Sequence, residues 1–127
     1  MQSNLKSAVV IEDDPISAKL LAELLENFGF TVRPFCQGAP ALSYLILQEV
    51  DLIVTDIFLP DLDGIDLIRA LHQRKSTPVI AISGQRDTEF ISIRKEALHA
   101  GAIAFFGKPC DPRLLRNCLQ GAGLVGG

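Results

Sequence analysis

The stretch LIVTDIFLPDLDG, residues 52–64, decides the fold of this 127-residue chain. Residues Leu52 to Thr55 form a continuous apolar run, which is typical of a parallel strand buried on both faces. The run ends on an acid, Asp56, and apolar residues resume directly after it. Pro60 and Asp63-Gly64 then turn the chain into a helix. A carboxylate at the end of a buried strand indicates a functional edge of a sheet.

Short apolar runs alternate with helical patterns along the whole chain. The clearest helix has apolar residues at helical spacing from Ile16 to Phe28, with Asp14 placed to cap it, Pro15 in its first turn and Gly29 as its stop. Predicted strands lie at 7–11, 31–35, 52–55, 78–82 and 102–106, and the other predicted helices at 38–47, 64–73, 88–100 and 112–119. Such alternation predicts an α/β fold of the (βα)5 type, a doubly wound parallel sheet with helices on both faces.

The composition predicts one cytoplasmic domain. A net charge of -3, with twelve scattered Lys and Arg residues, leaves no basic stripe for direct nucleic-acid binding. No apolar run reaches the roughly 18 residues of a membrane span, and we expect no secretory leader because the first residues contain no long apolar stretch followed by a cleavage site. Three cysteines without a CxxC motif suit a reducing compartment. We expect the domain to cover 1–120, and the glycine-rich residues 121–127 to form a flexible tail or the start of a linker.

Polar residues follow four of the predicted strands. Glu12 and Asp13 end the first, Asp56 the third and Ser83 the fourth, while Lys108 follows the fifth. In an open parallel sheet these positions share one edge, where ligands bind. Clustered carboxylates repel one another unless a cation joins them, and hard oxygen ligands favour Mg2+, with Mn2+ as an alternative. Asp56 could then act as a nucleophile that forms an aspartyl phosphate.

Four motifs carry a resemblance to a known family. They are VVIEDDP at 9–15, VTDIFLPDLDG at 54–64, PVIAISG at 78–84 and AFFGKPC at 104–110. Together they resemble the receiver domain of two-component response regulators over roughly Ser7 to Leu119. The resemblance implies a flavodoxin-like sheet of strand order 2-1-3-4-5. It also implies a phosphoacceptor switch, served by a histidine kinase or a histidine phosphotransfer protein, rather than an enzyme with its own substrate.

The resemblance also assigns roles at the metal and phosphoryl site. Asp56 matches the phosphorylated aspartate. Asp13 matches the direct metal ligand and Glu12 an acid that acts through water, while Phe58 would offer its backbone carbonyl to the metal.

Three further residues match the family's switch machinery. Ser83 stands at the hydroxyl position that moves toward the phosphoryl group, and Phe105 at the aromatic that follows it inward. Lys108 matches the lysine that pairs with the phosphate, and the family often has a cis bond corresponding to Lys108-Pro109. The fourth and fifth helices and the fifth strand would form the readout surface, and the two helices would offer a face for receiver dimerisation.

Alternatives remain open at this point. A pseudo-receiver would keep the fold and act through constitutive protein contacts. A metal nuclease would pair Glu12 with Asp61 and Asp63, but it would need a basic face that this acidic chain lacks. A finer hypothesis concerns lifetime: Phe58 and Gln85 flank the expected phosphoryl site, and an apolar Phe58 side chain would shield it from water, so self-dephosphorylation should be slow.

Overall fold

The structure is a computed structural model that describes residues 5–84 and 89–126. Over these residues the chain forms five strands and five helices in strict alternation. The elements are β1 (Lys6–Ile11), α1 (Pro15–Asn27), β2 (Phe30–Phe35), α2 (Gly38–Leu47), β3 (Leu52–Asp56), α3 (Gly64–Arg74), β4 (Val79–Ser83), α4 (Glu89–Ala100), β5 (Ala104–Gly107) and α5 (Pro112–Gly121). All strand pairs are parallel, in the order β2-β1-β3-β4-β5. The predicted α/β doubly wound fold and its strand order are confirmed.

The central strands are buried on both faces. Every residue of β3 and β4 is buried, as are the last four of β1. Side chains alternate between two apolar clusters because successive residues of a strand point to opposite faces. Ile53 lies in one cluster, with helices α2, α3 and α4, and Val54 lies in the other, with α1 and α5. The sheet therefore lies between two helical layers.

The first helix has the predicted ends. Asp14 accepts a hydrogen bond from the Ser17 amide at 2.9 Å, and Gly29 adopts a φ of 97°, which suits a glycine after a helix. The apolar residues at helical spacing do not all face the core, however. Ile16 and Leu20 are 70% and 58% exposed. The pattern identified the helix correctly, and two of its apolar residues lie on the side of the helix that faces solvent.

The fifth strand begins later than the sequence pattern predicted. Gly101 has a φ of 128°, and the Ala102 amide donates to the carbonyl oxygen of Ala97, so the chain is still leaving α4 at that point. The Ile103 amide donates to the carbonyl oxygen of Val79 at 2.8 Å, and the first residue pair in register with β4 is Ile80 with Ala104. The expected strand over 102–106 is thus corrected to Ala104–Gly107. The predicted start of α4 at residue 88 lies outside the described residues.

The carboxyl-terminal segment packs against the domain where the structure describes it. Helix α5 continues to Gly121, and the Leu124 amide donates to the carbonyl oxygen of Leu119 at 2.8 Å. Leu124 and Val125 contact the apolar cluster formed with α1 and α5. Leu124 and Val125 therefore pack against the domain, whereas residues 121–123 are exposed, and the flexible tail or linker start over 121–127 stays a prediction. None of the helices within residues 5–84 and 89–126 could cross a membrane.

Candidate functional site

Strand register brings the predicted site residues to one edge of the sheet. Ile11 is level with Thr55, so Glu12 and Asp56 follow side by side at the ends of β1 and β3. Asp56 is level with Ile82, which places Ser83 one residue beyond it on β4. The Lys108 amide donates to the carbonyl oxygen of Ser83 at 2.9 Å and closes this edge. Residues remote in sequence thus meet because parallel strands end together.

Three carboxylates converge at this edge. One oxygen from each of Glu12, Asp13 and Asp56 lies within 4.8 Å of the other two. Glu12 and Asp56 are only 2% and 4% exposed, whereas Asp13 is exposed. The cluster therefore has a buried floor and one carboxylate on the side that solvent can reach.

The Lys108 ammonium lies between two of these acids. Its Nζ is 2.7 Å from Asp56 Oδ2 and also contacts Glu12 Oε1. The Phe58 amide donates to the other oxygen of Asp56, Oδ1, at 3.1 Å. Both oxygens of Asp56 are thus held in place, and the bond between Lys108 and Pro109 is cis, as the resemblance implied.

The pKa values of both Glu12 and Lys108 are raised, for different physical reasons. Burial raises the pKa of Glu12 to about 7, and neighbouring Asp56 adds to this, although the hydrogen bond from Lys108 opposes it. Burial by itself would lower the pKa of Lys108. Hydrogen bonds and charge interactions with Asp56 and Glu12 outweigh that effect and raise it. Lys108 is therefore a fixed positive charge beside Asp56.

The donor set fits a divalent oxygen-seeking cation. Three carboxyl groups face a single ammonium in this cluster, and a divalent cation would offset the repulsion among them. Carboxylate oxygens are the ligands that Mg2+ prefers, and Mg2+ commonly uses one or two carboxylates while keeping open positions. The three carboxylates are close enough together that they could hold such an ion.

The predicted switch residues occupy contrasting environments. Ser83 is completely buried, and Phe105 is 7% exposed, with its ring edge-to-face against Phe90 at a centroid distance of 5.0 Å. Phe58 lies at the mouth of the site with a side chain that is 53% exposed. The predicted contribution of Gln85 lies outside the described residues.

The acids proposed for a nuclease site serve two helix termini instead. Asp63 caps α3 by accepting hydrogen bonds from the Ile65 and Asp66 amides. Asp61 accepts hydrogen bonds from Gly38 and Ala39 at the start of α2. Within the described residues, neither joins the cluster of three close carboxylates. The link between Asp61 and α2 was not predicted from the sequence, because 22 residues separate Asp61 from Ala39.

Comparison with known proteins defines the class. The model of the response regulator receiver domain matches residues 8–120, so the chain belongs to this family of two-component signalling domains. It is 35% identical over 118 residues to the transcriptional regulatory protein GltR of Pseudomonas aeruginosa, which covers 91% of this chain and 48% of that protein. The chain thus spans about half the length of the curated relatives it matches.

Solved structures share the fold. A putative response regulator from Chloroflexus aurantiacus has a TM-score of 0.84 at 26% identity, covering 93% of this chain and 97% of that chain. The receiver domain of a sensor histidine kinase from Pseudomonas aeruginosa, described with a magnesium ion coordinated in its active site cleft, has a TM-score of 0.79 at 24% identity. That alignment covers 94% of this chain and 98% of the other.

Proposed function

We propose that Asp56 accepts a phosphoryl group from a histidine kinase or a histidine phosphotransfer protein in a Mg2+-dependent reaction in the cytoplasm. The observation that carries this proposal is the arrangement around Asp56. Its buried carboxylate lies 2.7 Å from the Lys108 ammonium and shares an edge with two further acids. Membership of the receiver family supports the same chemistry.

The proposed transfer is a nucleophilic displacement at phosphorus. An Asp56 oxygen forms a bond to phosphorus while the phosphorus–nitrogen bond of a phosphohistidine breaks, and the electron pair remains on the departing imidazole, which takes up a proton. The Phe58 amide and Lys108 orient the nucleophilic carboxylate before reaction. Lys108 then pairs with the phosphoryl oxygens, and the Ser83 hydroxyl supplies a further hydrogen bond to them.

Mg2+ would be held by Asp13, Asp56 and the backbone carbonyl of Phe58, with Glu12 acting through water. When bound, the ion supplies positive charge that offsets the negative charge of the phosphoryl group. Glu12 fits an indirect role because its carboxylate is buried against Lys108, whereas Asp13 is exposed. Mn2+ would suit the same oxygen donors.

The proposed output is a change on the face formed by α4, β5 and α5. This face carries the exposed apolar residues Ile91 and Leu114, which are 65% and 53% exposed, around a groove of about 650 Å3. Phosphorylation would draw Ser83 and Phe105 toward the new charge and shift a two-state equilibrium of this face. Dimerisation of receivers through α4 and α5 would follow from that shift. We expect no direct contact between this segment and nucleic acid, or with a membrane.

The decisive experiment is phosphorylation by a small donor. The protein is incubated with acetyl phosphate and Mg2+, and its intact mass is measured. We expect the mass to increase by one phosphoryl group. This increase should not occur when EDTA removes the Mg2+, nor in the variant Asp56→Asn. Asp51→Asn is the matched control, since Asp51 is an exposed acid that contacts Ser7 and lies at the opposite end of β3. A folded wild-type protein that gains no phosphate would instead support the pseudo-receiver.

A further inference from the structure

The amino terminus of α2 is capped from a distance. Gln37 occupies the capping position, yet among the described residues its side chain makes no capping hydrogen bond. Asp61 takes its place from the loop between β3 and α3. Its Oδ1 accepts from the Gly38 amide and its Oδ2 from the Ala39 amide, both at 2.8 Å. The Ala39 and Gly38 amides lower the pKa of Asp61, so the carboxylate is ionised, which suits the positive end of a helix.

The same loop is packed tightly on the start of α2. A Cβ atom added to Gly38 would lie 2.8 Å from Leu62 Cδ1 and 3.2 Å from Leu59 Cδ1. Two loop leucines and one carboxylate thus hold the first turn of α2. Position 38 fits a glycine because the loop approaches the helix so closely.

The other end of this loop orients the phosphoacceptor. The Phe58 amide donates to Asp56 Oδ1 at 3.1 Å, and the Gly64 amide donates to the carbonyl oxygen of Ile57 at 2.9 Å. Phe58 and Asp63 form an antiparallel bridge that closes the loop on itself. A displacement of the loop would therefore move the Phe58 amide and carbonyl relative to Asp56.

We propose that Asp61 is a positioning residue for the phosphoryl and metal site. It contacts neither Asp56 nor the other two clustered acids directly. By tying the loop to α2, which is anchored in the core by Ala41 and Leu45, it fixes the position of Phe58 beside Asp56. The proposal rests on the phosphoacceptor function of Asp56 and adds to it the residue that sets the geometry of the loop.

The test compares Asp61→Ala with a matched control, Asp51→Ala. Asp51 is also an exposed acid that links two segments distant in sequence, because its Oδ2 accepts a hydrogen bond from the Ser7 amide at 2.8 Å. It lies at the opposite end of the sheet. We expect Asp61→Ala to weaken Mg2+ binding about tenfold, the lower end of the effect for outer-shell partners of metal ligands. Phosphorylation by acetyl phosphate should slow, and hydrogen exchange of the Phe58 amide in EDTA should accelerate. Asp51→Ala should leave all three readouts unchanged.

A double variant separates positioning from simple helix capping. Gln37→Asp introduces a local cap for α2, because residue 37 has the extended backbone that capping residues adopt. We expect Gln37→Asp with Asp61→Ala to recover the urea midpoint of the wild type while Mg2+ affinity stays weak. The isosteric Asp61→Asn, which keeps one acceptor oxygen, should give an intermediate affinity and covers the case in which Asp61→Ala does not fold.

Three results would overturn the proposal. The first is that Asp61→Ala keeps the Mg2+ affinity and the Phe58 amide exchange rate of the wild type. The second is that Asp51→Ala loses as much Mg2+ affinity as Asp61→Ala, and the third is that the double variant fully recovers Mg2+ affinity. These results can be told apart from a failure of the proposed phosphoacceptor function. If the wild-type protein took up no phosphate, the exchange of the Phe58 amide would still decide whether Asp61 holds the loop.

Discussion

The contact between Phe90 and Phe105 gives a prediction that can be worked out in numbers. Phe105 lies on β5 and is nearly buried, and the Phe90 ring meets it at 66° with centroids 5.0 Å apart. Gly107, two residues along the strand, has no side chain to intervene, and a Cβ there would lie 3.6 Å from Phe90. Replacing Phe90 with leucine removes the aromatic edge-to-face contact but keeps an apolar side chain of similar reach.

The expected loss of unfolding free energy in Phe90→Leu has two contributions. Edge-to-face pairs contribute about 0.5–1.5 kcal/mol beyond the area they bury. Leucine is also smaller than phenylalanine, and the lost burial of apolar atoms costs about 1 kcal/mol because Phe90 is only partly buried. Phe90→Leu should therefore lower the free energy of unfolding by about 1.5–2.5 kcal/mol. The coupling between Phe90→Leu and Phe105→Leu should be about 0.5–1.5 kcal/mol.

Urea unfolding followed by circular dichroism measures these quantities. The two single variants, the double variant and the wild type form one double-mutant cycle, and equal m-values are needed for it to be valid. The control cycle pairs Phe90→Leu with Phe35→Leu. Phe35 lies on β2, four strands away from β5, which is about 19 Å at the usual strand spacing. Coupling between Phe90 and Phe105 no larger than in this control would refute the reasoning.

Three further predictions concern the loop, the phosphoryl lifetime and a thiol. Gly64→Ala should destabilise the fold by about 1–3 kcal/mol in urea, because its Cβ would lie 2.4 Å from the carbonyl oxygen of Ile57 and the backbone must shift. Phe58→Asn and Phe58→Lys should change the decay rate of the phosphorylated protein, measured by intact mass over time. Burial, with the charge of an adjacent aspartate, raises the pKa of Cys110 to about 11. Since the thiolate reacts and forms only as the pH rises, alkylation of Cys110 should be slower than that of exposed Cys36 and should keep accelerating toward about pH 11.

Each of these predictions has a direct control or a contrary outcome. Gly121→Ala, where a Cβ meets open space, should leave stability unchanged or raise it by up to about 1 kcal/mol. Equal decay rates in all Phe58 variants would remove the argument that its side chain shields the site. Modification of Cys110 as fast as Cys36 at about pH 8 would show that burial does not suppress its reactivity.

Local sequence signals were reliable where a single element decides the outcome. The apolar runs at Leu52 and Val79 identified the central strands, because only strands covered on both faces are apolar throughout. Asp14 and Gly29 marked the ends of α1, because capping acts within one helical turn. Because the strands are parallel, the acids and Lys108 that follow them in the sequence could be predicted to lie at one edge of the sheet.

Contacts between distant segments could not be predicted in the same way. The link from Asp61 to α2 and the packing of Phe90 on Phe105 join residues whose spacing carries no periodic signal. The exposure of Ile16 depends on where α1 lies against the sheet, which its own apolar pattern does not specify. The packing of Leu124 depends on a core surface formed by other elements.

The sequence by itself determined the alternation of elements, the parallel sheet and the residues that end its strands. These features follow from side-chain periodicity and from caps that act over a few residues. Tertiary structure decided how Asp56 is held, between the Lys108 ammonium and the Phe58 amide, and which loop contact fixes Phe58 there. Such distances depend on the packing of whole helices against the sheet, because a hydrogen bond requires two segments to be in place at once.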